Sequence, residues 1–328
     1  MIITRTPFRV SFGGGGTDLP EYYKKHGGAA LSTSINKYMY ISIHPYFDSG
    51  INIKYSKTEQ VKSVEEIQHP LVREAMKLSS VLKGVEISSI SDIPSGTGLG
   101  SSSSFTVGLM NALYAYQGRN ASAEKLARDA CDIELNKVKS PIGKQDQYAA
   151  AYGGLNFIEF NADESVSVRP VMLKPGLKRE MNQNLMAFYT GSQRSAASIL
   201  EEQRKSLSED EKKLQTYHEL KKTAHAMLDS LKAGDIDNFG RQLDSAWKIK
   251  KRASSAISNS ELDALYALGI KNGALGGKLL GAGGSGFMLF YVPEGSHERV
   301  RKAFSSYKEL PFNFDSQGSR IIHVGDEY

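Results

Sequence analysis

Two carboxylates in this chain sit where an ordinary surface acid would not. Glu134 follows Ala130 by four residues on the inward stripe of a helix expected from Ser122 to about Lys137, a stripe that also carries Leu126 and Ile133. A carboxylate on a buried face needs a partner, which is either a buried Arg or Lys or a metal ion. Asp146 opens a short helix after the break at Pro141-Ile142-Gly143 and shares its face with Ala149 and Ala150, small enough to let a ligand approach. An acid in a first helical turn is also ordinary dipole chemistry, so residue type alone leaves both readings of Asp146 open. A third acid, Asp18, follows a strand bearing Arg9 and the run Gly13-Gly14-Gly15-Gly16-Thr17. It either caps the short helix expected from Leu19 to His26 or converges with Arg9 and Thr17 on a polar ligand beside the glycine turn.

The stretch from Pro94 to Ser104 points to a phosphate. Gly96, Gly98 and Gly100 alternate, with Leu99 between the last two, and Ser101, Ser102, Ser103 and Ser104 follow. Phe105, Leu109, Ala112, Leu113 and Tyr116 then recur at helical spacing, so a buried helix begins inside the serine run. Glycines let the main chain approach a ligand, and a first helical turn offers unpaired N–H groups; together they form an anion cradle suited to nucleotide phosphates. A flexible Gly/Ser connector is the alternative, and three ordered glycines abutting a strong helix weigh against it. No Lys-Ser/Thr pair follows the last glycine, so this is not a Walker A loop. Residues 281–286 match G-x-G-x-x-G, but a strand is expected only after them, at Phe287–Val292, so a dinucleotide fingerprint fails on context. Thirteen of the 31 glycines fall in 13–16, 96–100 and 276–286, which suggests three points of close backbone approach to a ligand.

Strands are expected at 2–12, Ala30–Ile35, Tyr38–Pro45, Ile51–Tyr55, Val85–Ile90, Leu155–Phe160, Leu185–Tyr189 and 319–324. Helices are expected at Leu71–Leu82, in four polar stretches near 195–205, 210–232, 235–251 and 261–272, and at 296–306. The charges of the polar helices read as solvated faces, and lone Trp247 as a helix-interface residue. A composition change near Asn161–Glu164 suggests a junction, dividing the chain into 1–164 and 165–328. The net charge of +5 comes from scattered Lys and Arg with no dense basic tract, giving no reason to expect nucleic acid. The single cysteine, Cys131, excludes an intramolecular disulfide, and a cytoplasmic location is the expectation. The longest apolar run, Phe287–Val292, is too short to cross a bilayer, and the seven histidines show no zinc spacing.

Three glycine-rich motifs in this order resemble the GHMP kinase superfamily, over nearly the whole chain. They are Pro7-Phe8-Arg9-Val10-Ser11-Phe12-Gly13-Gly14-Gly15-Gly16-Thr17-Asp18, then Pro94 to Ser104, then Lys278 to Gly286. Within the superfamily the likeness is to the D-glycero-D-manno-heptose 7-phosphate kinases, carried by the first motif together with Ile142 to Gly154 and Tyr189 to Ala196. The resemblance implies an α+β, two-domain GHMP kinase fold, with an N-terminal α/β domain of the ribosomal protein S5 domain 2-like type, a ferredoxin-like C-terminal domain and an active site between them. It further implies ATP held by Pro94, Gly96, Gly98, Leu99, Gly100 and Ser101 to Ser104, Mg²⁺ held by Ser102 and Glu134, and Asp146 positioning the acceptor hydroxyl. Arg9 would then steady the transferred phosphoryl group or orient Asp146. Gly15, Gly16, Thr17 and Asp18 would meet the sugar, and Gly283 and Gly284 would shape the cleft wall beside Ser285, where relatives often have glycine. Arg194, after a glycine turn, would offer a guanidinium fork to a phosphate already on the substrate. The implied reaction is phosphorylation of the C1 hydroxyl of the heptose 7-phosphate. Rival readings are a kinase for fucose or galactose, a non-catalytic sugar or nucleotide sensor, and an ATP-dependent decarboxylase. The assembly is left open, a homodimer among the possibilities.

Overall fold

Alternation of Phe8, Val10 and Phe12 with Arg9 and Ser11 builds β1 (Ile2–Gly13), which α1 (Pro20–His26) connects to β2 (Gly28–Pro45). The computed structural model describes residues 1–191, 196–209 and 211–326. Two strands were expected where the single strand β2 runs. The interruption at Asn36-Lys37 is taken up as a bulge instead: Phe8 pairs with Ile35 while the adjacent Pro7 pairs with Tyr38. The chain continues through β3 (Ile51–Lys54), β4 (Thr58–Val61), α2 (Pro70–Ser79) and β5 (Val85–Ser91) into the glycine loop.

From that loop springs α3 (Ser101–Tyr116), buried continuously from Ser103 to Tyr114. It lies directly on the first sheet: the Thr4 hydroxyl donates to the Gly108 carbonyl at 2.9 Å, and a Cβ on Gly108 would stand 2.7 Å from Thr6 Oγ1. Then come α4 (Ala123–Cys131), capped by the Ser122 hydroxyl as its position suggested, α5 (Gln145–Tyr152), β6 (Leu155–Phe160) and β7 (Val166–Pro170). The eight-stranded first sheet runs β11-β1-β2-β5-β3-β4, with β6 on the other end of β2 and β7 beside β6; its last member is β11 (Arg320–Val324).

The second sheet is three antiparallel strands in the order β8-β10-β9. It follows α6 (Pro175–Gln183) with β8 (Leu185–Tyr189), and its helices are α7 (Ala196–Glu209), α8 (Glu211–Ala233), α9 (Ile236–Lys251) and α10 (Ser260–Lys271). β9 (Gly276–Leu279), β10 (Phe287–Tyr291) and α11 (His297–Ala303) complete it. Trp247 on α9 is fully buried and meets Tyr266 of α10, as a helix-interface residue should. The expected division at residue 164 does not coincide with a division between sheets, because β7 just after it and β11 near the end both complete edges of the first sheet. A strand, β9, also precedes the glycines of 281–286, correcting the expectation that one only follows. The turn is therefore a hairpin connection and not a strand-to-helix crossover, so the dinucleotide reading still fails. Among the described residues no helix is long and apolar enough to cross a membrane.

Candidate active site

Gly96, Gly98 and Gly100 all adopt left-handed backbone, with φ of 78°, 83° and 76°, while Thr97 and Leu99 between them do not. That alternation turns successive N–H groups toward a common side, as an anion-binding nest requires. β1 pins the loop: the Arg9 amide donates to the Leu99 carbonyl at 3.1 Å, and Arg9 Nη1 to the Gly98 carbonyl at 2.6 Å. Ser104 N donates back to Gly100 O at 3.0 Å, whereas Ser101, Ser102 and Ser103 ahead of it have no carbonyl one turn back. The third glycine turn closes the loop from the other side. A Cβ on Gly98 would stand 2.4 Å from the Leu280 carbonyl oxygen, and one on Gly281 2.5 Å from Gly98 Cα. Gly98→Ala therefore combines left-handed strain of about 1–2 kcal/mol with a backbone clash, whereas Gly96→Ala, with nothing within 4 Å of its Cβ, has the strain alone. We expect Gly98→Ala to raise the apparent KM for ATP about tenfold more than Gly96→Ala; equal effects in steady-state kinetics would remove the contact from the argument.

Asp146 faces this loop. Arg9 holds it in a two-pronged fork, Nε to Oδ1 and Nη2 to Oδ2, both at 2.7 Å, and a Cβ on Gly100 would lie 3.4 Å from Oδ2. Arg9 is buried while the Asp146 carboxylate remains 28% exposed, so the acid is fixed yet reachable. Asp18 is not the cap of its own helix, whose N-cap is Leu19. Its Oδ1 accepts from Gly16 N at 2.9 Å and its Oδ2 from Gln145 N at 3.0 Å, so it caps α5 and thereby seats Asp146. Burial raises its pKa, with the Asp146 charge adding to the rise and the backbone donors opposing it.

Glu134 is fully buried, on a π-helical turn over Asp132–Lys137 that continues α4. Among the described residues neither a buried Arg nor a buried Lys answers it. Its oxygens accept from Ser102 Oγ at 2.7 Å, Ser103 Oγ at 2.9 Å and Gln147 Nε2 at 2.6 Å, while Gln147 Oε1 is buried without a partner. Three neutral donors leave the carboxylate charge uncompensated, and burial pushes its pKa up. Such a set, one carboxylate and one hydroxyl with Ser102 open to the cleft, fits Mg²⁺, which takes one or two protein carboxylates and completes its shell with phosphate oxygens and water. Among the described residues no cluster of three His, Cys, Asp or Glu offers an all-protein cage.

Arg9, Asp18, Gly96, Gly98, Gly100, Ser101, Ser102, Ser103 and Asp146 line one cleft of about 260 Å³, together with Gly15, Gly16, Ser11, Gln145, Gly283 and Ser285, while fully buried Glu134 lies behind the lining and meets it through the hydroxyls of Ser102 and Ser103. Several expected ligand contacts do not reach it. Thr17 is fully buried, its hydroxyl bonded to Gly14 O, Ala29 O and Ala29 N, so it braces the first glycine turn. Ser104 is likewise buried with its hydroxyl on Pro7 O, Leu99 is buried, Gly284 N is bonded to Ile257 O, and exposed Pro94 lies outside the lining. Arg194 lies outside the described residues.

Two cations in the cleft went unassigned in the sequence. Lys278 on β9 is buried and donates to the Phe12 carbonyl at 3.0 Å; burial, reinforced by Lys250 and Arg9, drives its pKa well down. Lys250, at the end of α9, donates to the Gly281 carbonyl, and burial with Arg9 nearby brings its pKa down to about 8, against the pull of Asp18 and Asp146. A signal for Lys250 was present: it follows Leu243, Ala246 and Trp247 by seven, four and three residues, which places it on their buried face.

Known proteins match this chain along nearly its whole length. Residues 63–154 match the family model for the GHMP kinases N terminal domain, and residues 227–309 that for the GHMP kinases C terminal region. D-glycero-alpha-D-manno-heptose 7-phosphate kinase of Campylobacter jejuni is 32% identical over 98% of this chain and 99% of its own. A solved structure described as a putative sugar kinase from Campylobacter jejuni superposes with a TM-score of 0.79 at 29% identity, covering 98% of each chain. One described as a D-glycero-D-manno-heptose 1-phosphate kinase from Bacteroides thetaiotaomicron has a TM-score of 0.82 at 24% identity, over 99% of this chain and 100% of that one, a likeness of fold.

Proposed function

This chain belongs to the GHMP kinases, and we propose that the sugar it phosphorylates is D-glycero-D-manno-heptose 7-phosphate, at the C1 hydroxyl, giving the 1,7-bisphosphate for nucleotide-activated heptose. As a sugar kinase of this family it takes its phosphoryl group from ATP. The single observation that carries the catalytic reading is Asp146, locked by the Arg9 fork against the last glycine of the phosphate loop. The substrate reading is supported by a full-length relative at 32% identity whose name specifies that acceptor.

The chain's own groups divide the work. The amides at the start of α3 bind phosphate oxygens, which needs no side-chain charge and no reorganisation. The Arg9 fork fixes the plane of the Asp146 carboxylate and leaves each oxygen a lone pair for the acceptor hydroxyl. As the acceptor oxygen bonds to the γ-phosphorus, the bond from phosphorus to the ADP oxygen breaks and the hydroxyl proton is released toward Asp146. The transition state is loose, so holding the acceptor in line matters more than pulling its proton early. Ser102 and Glu134 would hold Mg²⁺, which neutralises phosphate charge when bound. Asp18 and the amides of the first glycine turn would receive sugar hydroxyls, and Arg194 the phosphate at the far end of the sugar.

The test is a panel of acceptors with ATP and Mg²⁺: the heptose 7-phosphate, the heptose 1-phosphate, free heptose, fucose and galactose. Phosphorus NMR of the product reads both the position and the anomer. A new anomeric phosphate on the 7-phosphate alone is the expected result; turnover of free hexoses without it overturns the substrate.

A further inference from the structure

We propose that Lys250 is a catalytic residue that contacts the phosphoryl group in transit, completing with its ammonium the charge that the Gly98 loop and Arg9 begin. The inference rests on the reading of this cleft as the place of phosphoryl transfer from ATP.

Its position argues for that group and not for a phosphate elsewhere on the acceptor. Lys250 Nζ is fixed on the Gly281 carbonyl, and Gly281 is the residue packed against Gly98 Cα. Arg9 donates to the neighbouring Gly98 carbonyl and to Asp146, so the ammonium, the phosphate loop and the acceptor-positioning acid share one corner of the cleft. A phosphate at the other end of a seven-carbon sugar lies away from the hydroxyl that Asp146 meets. Arg9, the other cation on this loop, is already committed to Asp146 by both prongs of its fork. Lys250 forms no ion pair among the described residues and uses one of its three N–H donors on Gly281. A half-buried cation facing Arg9 on β1 and Lys278 on β9, offset among the described residues by Asp18 and Asp146, is electrostatically unsettled until an anion arrives. Charge held in this way is stronger against the spread negative charge of a transferring phosphoryl group than against a solvated phosphate.

Lys250→Met keeps the stem and removes the ammonium, and because it also removes a desolvation penalty it should fold with a melting temperature at or above the wild type; Lys250→Gln serves as a second variant. Calorimetric binding of ADP and of a non-hydrolysable ATP analogue, both with Mg²⁺ and without sugar, reads contact with the terminal phosphoryl group directly. We expect the preference for the triphosphate analogue to fall about tenfold in Lys250→Met with ADP affinity unchanged. With whichever acceptor the wild type turns over, kcat should fall about 10²–10³-fold and acceptor KM by less than about threefold in either direction, with part of kcat restored in Lys250→Arg. Wild-type discrimination between the two nucleotides should decline as pH rises past about 8, where the ammonium loses its proton, and stay flat in Lys250→Met. An unchanged nucleotide preference overturns the proposal. So does a rise in acceptor KM with kcat intact, which would put Lys250 on the acceptor's own phosphate, or a joint loss of ADP and analogue binding with a lower melting temperature, which would make it structural. Failure of the heptose itself would appear as absent wild-type turnover and leave the nucleotide measurement decisive.

Discussion

Asp146→Asn should lower kcat roughly 10³-fold while ATP binding stays within about threefold of the wild type. The asparagine oxygen still accepts from Arg9, so the fork loses one prong and the charge behind the other, and the α5 cap through Gln145 N and Asp18 is untouched. What disappears is an anionic acceptor at the hydroxyl to be phosphorylated. Asp146→Ala is the harsher variant, because it leaves a buried guanidinium without its counter-charge, and removing one partner of such a pair is destabilising in its own right. Comparing the two separates chemistry from scaffold: steady-state kinetics should show similar kcat losses, and thermal melting should show a larger drop for alanine. If Asp146→Asn retained more than about a tenth of wild-type kcat, the acid would be neither base nor positioning group.

Glu134→Gln is the second large effect, and its sign differs between free and loaded protein. Burial holds the folded-state pKa of Glu134 above its ordinary 4.5, so the folded chain keeps this proton to higher pH than the unfolded chain does. Stability without ligand therefore falls as pH rises from about 4.5 through the raised value, and glutamine abolishes that slope. The unliganded variant should melt no lower than the wild type at neutral pH. With nucleotide present, added Mg²⁺ should stabilise the wild type but scarcely the variant. The apparent Mg²⁺ requirement should rise about tenfold or more, and kcat should fall roughly 10²–10³-fold. Melting curves with and without Mg²⁺-nucleotide measure the first pair of outcomes. A variant stabilised by the metal as fully as the wild type would take Glu134 out of the metal site.

What could be read in the residues was whatever leaves a local mark. Alternating glycines at 96, 98 and 100 are such a mark, since only glycine adopts their φ without strain. Glu134 was visible because helical spacing carried it inward, although the turn there opens to a π-helix; its partners Ser102 and Ser103 arrive from 32 and 31 residues away, which no window of sequence reveals. Asp18 shows the same limit more sharply. Its bonds from Gly16 and Gln145 join segments 127 residues apart, so the capping alternative offered by local sequence pointed to the wrong helix. β9 was missed because Gly276-Gly277 has no strand preference of its own and is held by pairing with β10. Lys250 was hidden by its neighbours: Lys248 and Lys251 point to carboxylates at the surface, and the triplet reads as one solvated face. Thr17 was over-read, its polarity answering the needs of its own turn and not those of a ligand.

Asp18 and Asp146 are joined through main-chain amides: Gln145 N, immediately before Asp146, donates to the Asp18 carboxylate, and Lys144 N donates to the Asp18 carbonyl. The gap between the acid that addresses the reacting hydroxyl and the acid beside the first glycine turn is thus a gauge cut in peptide geometry, not in side-chain packing. Repacking the surroundings leaves its setting alone. To accept a longer or shorter span between hydroxyls, the chain would have to gain or lose a residue between Gly143 and Asp146.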